Sequence, residues 1–220
     1  MFWRILPHAT LCIASDRLIL LDVRQDRYLM MPDRIARDLR RWLEDEEATT
    51  APTAIAGLLQ QNGIWRQGDQ QPTAARPLSL SVPPTLAAPQ APRKPGSARD
   101  VARVGALVTA AWLALRWRPL RSILRDTGRR QVPMRPGRSR GIPAAVGAYD
   151  RARIYVPFAR RCLLDCLALH AWLRDHEEQS QLVFGVTGQP FAAHCWLQNA
   201  DVILNDTYER VSRFTPILAI

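Results

Sequence analysis

Seven prolines (Pro72, Pro77, Pro83, Pro84, Pro89, Pro92 and Pro95) fall between Gln71 and Ser97, among Ala, Gln and Ser. Each one fixes φ and removes a backbone donor, so the stretch resists regular pairing and favours an extended, semi-stiff chain. The 220 residues allow one large domain or two small ones with at least one real core. The proline block decides for two. The expected layout is an N-terminal domain over 1–68, a Pro/Ala-rich linker over 69–96, and a second domain over 97–220.

The first block reads as strands followed by helices. Met1 to Ser15 lacks the features of a secretion signal, because Pro7 and His8 break its apolar run, and it reads as a first strand. Strand patterns cover Ala9–Ala14, Leu18–Val23 and Tyr28–Met31. Pro32-Asp33 then opens a helix in which Ile35, Leu39, Trp42 and Leu43 recur at helical spacing. A second helix is expected over Thr53–Gln61, stopped by Asn62-Gly63, with Ile64-Trp65 returning as a closing strand. Strands, then helices, in under 70 residues suit a small winged-helix-like module.

The formal charge is +10, and Lys94 is the only lysine, so nearly all of the positive charge is arginine. Arginine forks suit carboxylates and phosphates, which leaves an acidic peptide or a nucleic acid as a partner; a G and C-rich genome gives the same bias. Cys12, Cys162, Cys166 and Cys195 point to reduced thiols in a cytoplasmic protein rather than to a disulfide framework. The most helix-like apolar run, Val104 to Leu115, is shorter than the ~20 residues a bilayer span needs. No phosphate-binding loop occurs, so no ATP chemistry is assigned to this chain.

Helix resumes at Ser97, an N-cap with Asp100 three residues on, and Val101, Val104, Leu107, Val108, Ala111, Trp112 and Leu115 face a core. Arg121 to Arg140 follows, read as a basic loop whose arginines form either a solvated surface or a binding patch. The segment from Arg161 to Leu169 then opens an apolar helix reaching about Arg174, and Gln181–Val186 and Ala193–Gln198 read as strands.

Cys162 sits at the start of that helix, where the helix dipole and the neighbouring Arg160 and Arg161 favour thiolate. Read alone, it also fits a small buried apolar residue, the commoner role of a cysteine. His194 stands at a hairpin rim, able to reach a helix N-terminus, or is an ordinary strand histidine. Asp206 follows Val202-Ile203-Leu204-Asn205, where a strand beside that of His194 would end. It either orients the imidazole or forms a turn with Asn205. Cys162, Cys166 and His170 share one helix face at four-residue steps, which with His194 permits a zinc reading. Three ligands strung along one helix do not converge easily on a tetrahedron, so no metal is assigned. His8 and His176 read as surface residues, and Cys12 and Cys195 as strand packing.

Taken together, residues 150 to 220 resemble the lasso peptide biosynthesis B proteins, the leader peptidases of microcin-type precursors. The resemblance rests on Arg161-Cys162-Leu163 with Leu167-Ala168-Leu169, on Leu182-Val183-Phe184-Gly185-Val186, and on Pro190-Phe191-Ala192-Ala193-His194-Cys195-Trp196. It continues into Val202-Ile203-Leu204-Asn205-Asp206. Cys166 departs from the family pattern, which has a small or hydroxyl residue one turn past the nucleophile.

The resemblance implies an α+β chain whose papain/transglutaminase-like C-terminal domain packs helices on a short antiparallel sheet. It implies a cysteine endopeptidase with a triad of Cys162, His194 and Asp206, needing no cofactor. The fused N-terminal module would hold the leader of the lasso precursor as an added strand along Tyr28, Leu29, Met30 and Met31. An asparagine-synthetase-like macrolactam synthetase would then take the freed core. Two rival readings are a winged-helix nucleic-acid binder and a noncatalytic precursor-binding scaffold. Against the first, Thr53–Gln61, the presumed recognition helix, holds no basic residue, and no nucleic acid is expected as partner.

Overall fold

The computed structural model describes residues 1–45, 50–73, 78–84, 97–129 and 141–220. The chain divides into two compact units: Met1–Leu80 with Gly185–Ala193 and Phe214–Leu218, and Ser81–Phe184 with His194–Arg213 and Ala219–Ile220.

The first unit opens with β1 (Phe2–Leu6), β2 (Ala9–Ala14), β3 (Arg17–Asp22) and β4 (Arg27–Met30), an antiparallel meander in the order β1-β2-β3-β4. The single first strand expected over Met1–Ser15 is thus two strands, turned at Pro7-His8. Helices α1 (Asp33–Glu44) and α2 (Thr53–Gln61) follow. Pro32 and Pro52 stand just ahead of each helix, where a missing N–H costs nothing. Trp3, Ile5, Leu11, Leu18 and Leu20 from the sheet bury against Leu39, Trp42, Ile55, Leu59 and Ile64. Period-2 and period-3.6 apolar patterns therefore meet in one core.

Ile64-Trp65 is not the expected closing strand, and the hydrogen bonds show why. The N–H groups of Ile64 and Trp65 both donate to the carbonyl of Leu59, finishing α2. The carbonyls of Gly63 and Ile64 accept from Arg24 Nη2 at 2.9 and 2.8 Å, and Ile64 O also pairs with His8 Nε2 at 2.8 Å. Both N–H groups of Ile64-Trp65 and the Ile64 carbonyl are thus taken by a helix cap and by side chains, and are not offered to a ladder. His8 is accordingly half-buried rather than a surface residue.

Gly63 holds φ +66°, a left-handed cap position that suits glycine, and a Cβ there would stand 3.3 Å from Gln25 Nε2. Gly63→Ala is expected to cost about 1–2 kcal/mol of stability. A thermal melt showing no loss would contradict this account of the α2 terminus.

Part of the expected linker is ordered. Phe2 and Leu78 exchange both backbone hydrogen bonds, at 3.0 and 2.8 Å, and Thr73 N donates to Ile5 O. Residues 74–77 and 85–96 of the linker lie outside the described residues.

The second unit is built on α3 (Ala98–Trp117), α4 (Leu120–Arg129), α5 (Ile142–Arg153) and α6 (Cys162–Asp175). Ser97 caps α3 by accepting from Asp100 N, as its position foretold. Of the basic loop expected over Arg121–Arg140, the described part is helical: α4 buries Ile123, Leu124 and Thr127. Residues 130–140 lie outside the described residues. Helix α6 is buried on nearly every side, through Leu164, Cys166 to His170, Trp172 and Leu173, and packs against both α3 and α5. Trp172 Nε1 donates to Ala145 O at 2.9 Å, tying α6 to α5.

Strands β5 (Gln181–Thr187), β6 (Ala192–Gln198) and β7 (Thr215–Ala219) form a sheet in the order β6-β5-β7, and a short α7 (Tyr208–Val211) precedes β7. The strand expected over Val202–Asn205 is reduced to a single bridge between Gln198 and Ile203. Among the described residues no helix is long and apolar enough to cross a membrane.

Candidate active site

Cys162 is the first residue of α6 and is exposed, whereas Cys12, Cys166 and Cys195 are buried. Its sulfur hydrogen-bonds the imidazole of His194, the third residue of β6. His194 Nε2 lies 2.5 Å from Asp206 Oδ2, which leaves Nδ1 to face the sulfur. The other carboxylate oxygen, Oδ1, accepts from Thr207 N at 2.8 Å. A thiol, an imidazole and a carboxylate therefore stand in series, seated on a helix start, a strand and the loop before α7.

The electrostatics follow from those bonds. Hydrogen bonds from Cys195 and His194 pull the Cys162 thiol down to about 4, against burial, which acts the other way. For His194, burial alone would lower the pKa; bonds to Asp206 and Cys162 outweigh it and push the ring up to about 9. Burial would raise Asp206, but the His194 bond and the Thr207 N–H hold it below the usual carboxylate range. Each group favours its charged form because of the next, so the sulfur is a thiolate beside an imidazolium across neutral pH.

A cleft of about 220 Å³ opens on this series, lined also by Tyr149, Asp150, Arg160, Arg161, Asn205 and Arg210. Burial raises the Asp150 carboxyl. Arg210 Nε stands 3.9 Å from Asp206 Oδ2, with its side chain largely exposed.

Asn205, which sequence reasoning took only as a turn residue, staples the site. Its Oδ1 accepts from Leu197 N at 2.8 Å, and its Nδ2 donates to Cys166 Sγ at 3.2 Å. Cys166 Sγ in turn reaches Cys195 O at 3.5 Å. That buried sulfur joins α6 to β6 and to the Asp206 loop, which gives Cys166 a packing role distinct from the exposed Cys162.

The zinc alternative is not assembled. His170 Nδ1 bonds Ser180 Oγ at 2.8 Å, His194 is engaged by Asp206, and no metal-holding group of three or more His, Cys, Asp or Glu occurs among the described residues.

The residues named for leader binding lie in the first unit. Tyr28, Leu29 and Met30 are on β4, one of the two end strands of the meander. The Tyr28 ring lies 5.6 Å from that of Phe191, Leu29 packs on the core, and Met30 is exposed. Met31 falls one residue beyond β4 and is buried at 4% exposure, so its side chain belongs to the core and not to a peptide-binding edge.

A profile of the Transglutaminase-like superfamily matches residues 106–219, more than half of the chain. No curated protein and no solved structure matches it.

Proposed function

We propose, from the premise that this chain belongs to the Transglutaminase-like superfamily, that it is a cysteine endopeptidase that cuts the leader from a lasso peptide precursor. The observation that carries the chemistry is the hydrogen-bonded series from the exposed Cys162 sulfur through His194 to Asp206. The motif resemblance of residues 150 to 220 supports the substrate class.

In this reading the Cys162 thiolate attacks the carbonyl at the leader-core junction. Backbone N–H groups at the start of α6, unpaired within the helix, receive the developing oxyanion. His194 hands its proton to the leaving amine, and the core departs with a free N-terminus. The acyl-enzyme on Cys162 is then hydrolysed by a water that His194 deprotonates. Asp206 holds the imidazole in the tautomer and orientation that both steps require.

The first unit would hold the leader along β4, backbone bonds giving affinity and side-chain pockets giving selection. Tyr28, Leu29 and Met30 are the residues offered for this role. The partner that closes the ring would be an ATP-using macrolactam synthetase of asparagine-synthetase type, working in the same cytoplasm.

The test incubates a lasso precursor with the purified chain and follows leader and core by mass spectrometry. Two separate peptides, leader and core, from hydrolysis of one peptide bond, and loss of the reaction after alkylation of Cys162, are expected. A precursor left intact by enzyme supplied with the synthetase, or cut equally well after alkylation, would overturn the proposal.

A further inference from the structure

The helix start that seats Cys162 has an unusual construction. Arg161, the N-cap, is in an extended conformation and makes no side-chain cap. The reach-back comes from inside the helix: Asp165 Oδ2 accepts from the backbone N–H of Arg161 at 2.9 Å, while Asp165 N donates to Arg161 O at 2.9 Å. One residue thus closes both backbone groups of the position just before the sulfur.

Asp165 is itself held from below. Its Oδ1 lies 2.6 Å from Nε of Arg153, the last residue of α5, whose side chain is 2% exposed. The same guanidinium donates through Nη1 to Val156 O at 3.1 Å and through Nη2 to Phe158 O at 3.0 Å. A single buried fork therefore binds the end of α5, the chain crossing from α5 to α6, and the carboxylate that sets where α6 begins.

Desolvating a guanidinium and a carboxylate is costly, and well-packed apolar residues would stabilise a fold at least as well. What an apolar pair lacks is direction. The planar guanidinium reaches three acceptors from three separate nitrogens in fixed directions, whereas a lysine has one nitrogen with rotatable donors.

We propose that Arg153 and Asp165 form a positioning pair that fixes the first turn of α6, and with it the Cys162 sulfur against His194. The proposal rests on the reading of Cys162 as nucleophile. Without the pair, the first turn frays, the helix begins beyond Cys162, and the sulfur loses both the helix terminus and its imidazole partner.

The experiment uses the full chain with Asp165→Asn and Arg153→Lys, and Ile123→Ala in α4 as a control that lowers stability elsewhere. The first readout needs no turnover: the pH dependence of iodoacetamide alkylation, followed at Cys162 by peptide mapping, since the other three cysteines are buried. The wild-type midpoint is expected near 4. In both variants it should move toward the ordinary ~8.5, while the control keeps the wild-type value. The second readout is precursor cleavage, where kcat should fall ~100-fold with little change in KM, as expected for a misplaced reacting group.

A wild-type midpoint near 8.5 would sink the nucleophile reading itself. A low midpoint in the wild type and in both variants would sink the positioning pair alone. Unfolding of both variants, seen by circular dichroism, would also overturn it in favour of a general structural role.

Discussion

Replacing Cys162 with alanine is expected to bring leader cleavage to background, a loss on the order of 10⁴-fold to 10⁶-fold in kcat, the range seen when a nucleophile is removed from such a series. The same change at Cys166, one turn along the helix, should leave cleavage within about tenfold. The contrast follows from surroundings rather than from residue type. Cys162 is exposed, opens on the cleft and shares a hydrogen bond with His194. Cys166 is fully buried, and its sulfur is engaged by Asn205 and by the carbonyl of Cys195. Losing it leaves a small void and an Asn205 amide short of a partner, a cost of about 1–3 kcal/mol in stability. Mass spectrometry of precursor digests, with thermal melts of each variant, separates the two effects. Intact cleavage by Cys162→Ala would remove Cys162 from the role of nucleophile, and abolition by a well-folded Cys166→Ala would move that role to Cys166.

The sequence made the site's rigid seats legible because each one is local. The apolar period after Arg161 marks α6, with Cys162 as its first residue. The alternation through His194 marks β6 to within one residue of its start. Elements escaped where a local signal was diluted by its neighbours. Helix α4 hides Ile123, Leu124 and Thr127 among arginines, so charge density masked a helical period. Helix α5 carries Pro143 and Gly147, residue types that weaken a helical pattern, although proline is tolerated in a first turn. Strand β7 contains Pro216, which argues against a central strand; it survives because β7 lies at the end of the sheet order. The Arg153 and Asp165 pair was beyond reach for a different reason: the two residues lie on separate helices, and only tertiary packing brings one to the other.

Cleavage should also follow a bell-shaped pH profile whose plateau runs between about 4 and about 9. The Cys162 thiol is depressed, so its thiolate is gained as pH rises through about 4. The His194 ring is elevated, so its imidazolium persists until pH rises through about 9. The attacking pair exists only between those limits, and the two limbs belong to the coupled pair rather than to either residue alone. Asp206→Asn removes the carboxylate that raises His194 while leaving the burial that lowers it, so the alkaline limb must move to lower pH. The acid limb should rise as well, because a ring that is less often charged supports the thiolate less. At pH 7 the rate should fall ~100-fold, the lower end of what a positioned acid or base contributes. That is milder than the loss of Cys162, since the hydrogen bonds from Cys195 still favour thiolate. Profiles of kcat/KM for wild type and Asp206→Asn decide the matter: an alkaline limb that stays near 9 in the variant would show that Asp206 does not set the charge of His194. Its role in orienting the ring would then have no electrostatic support.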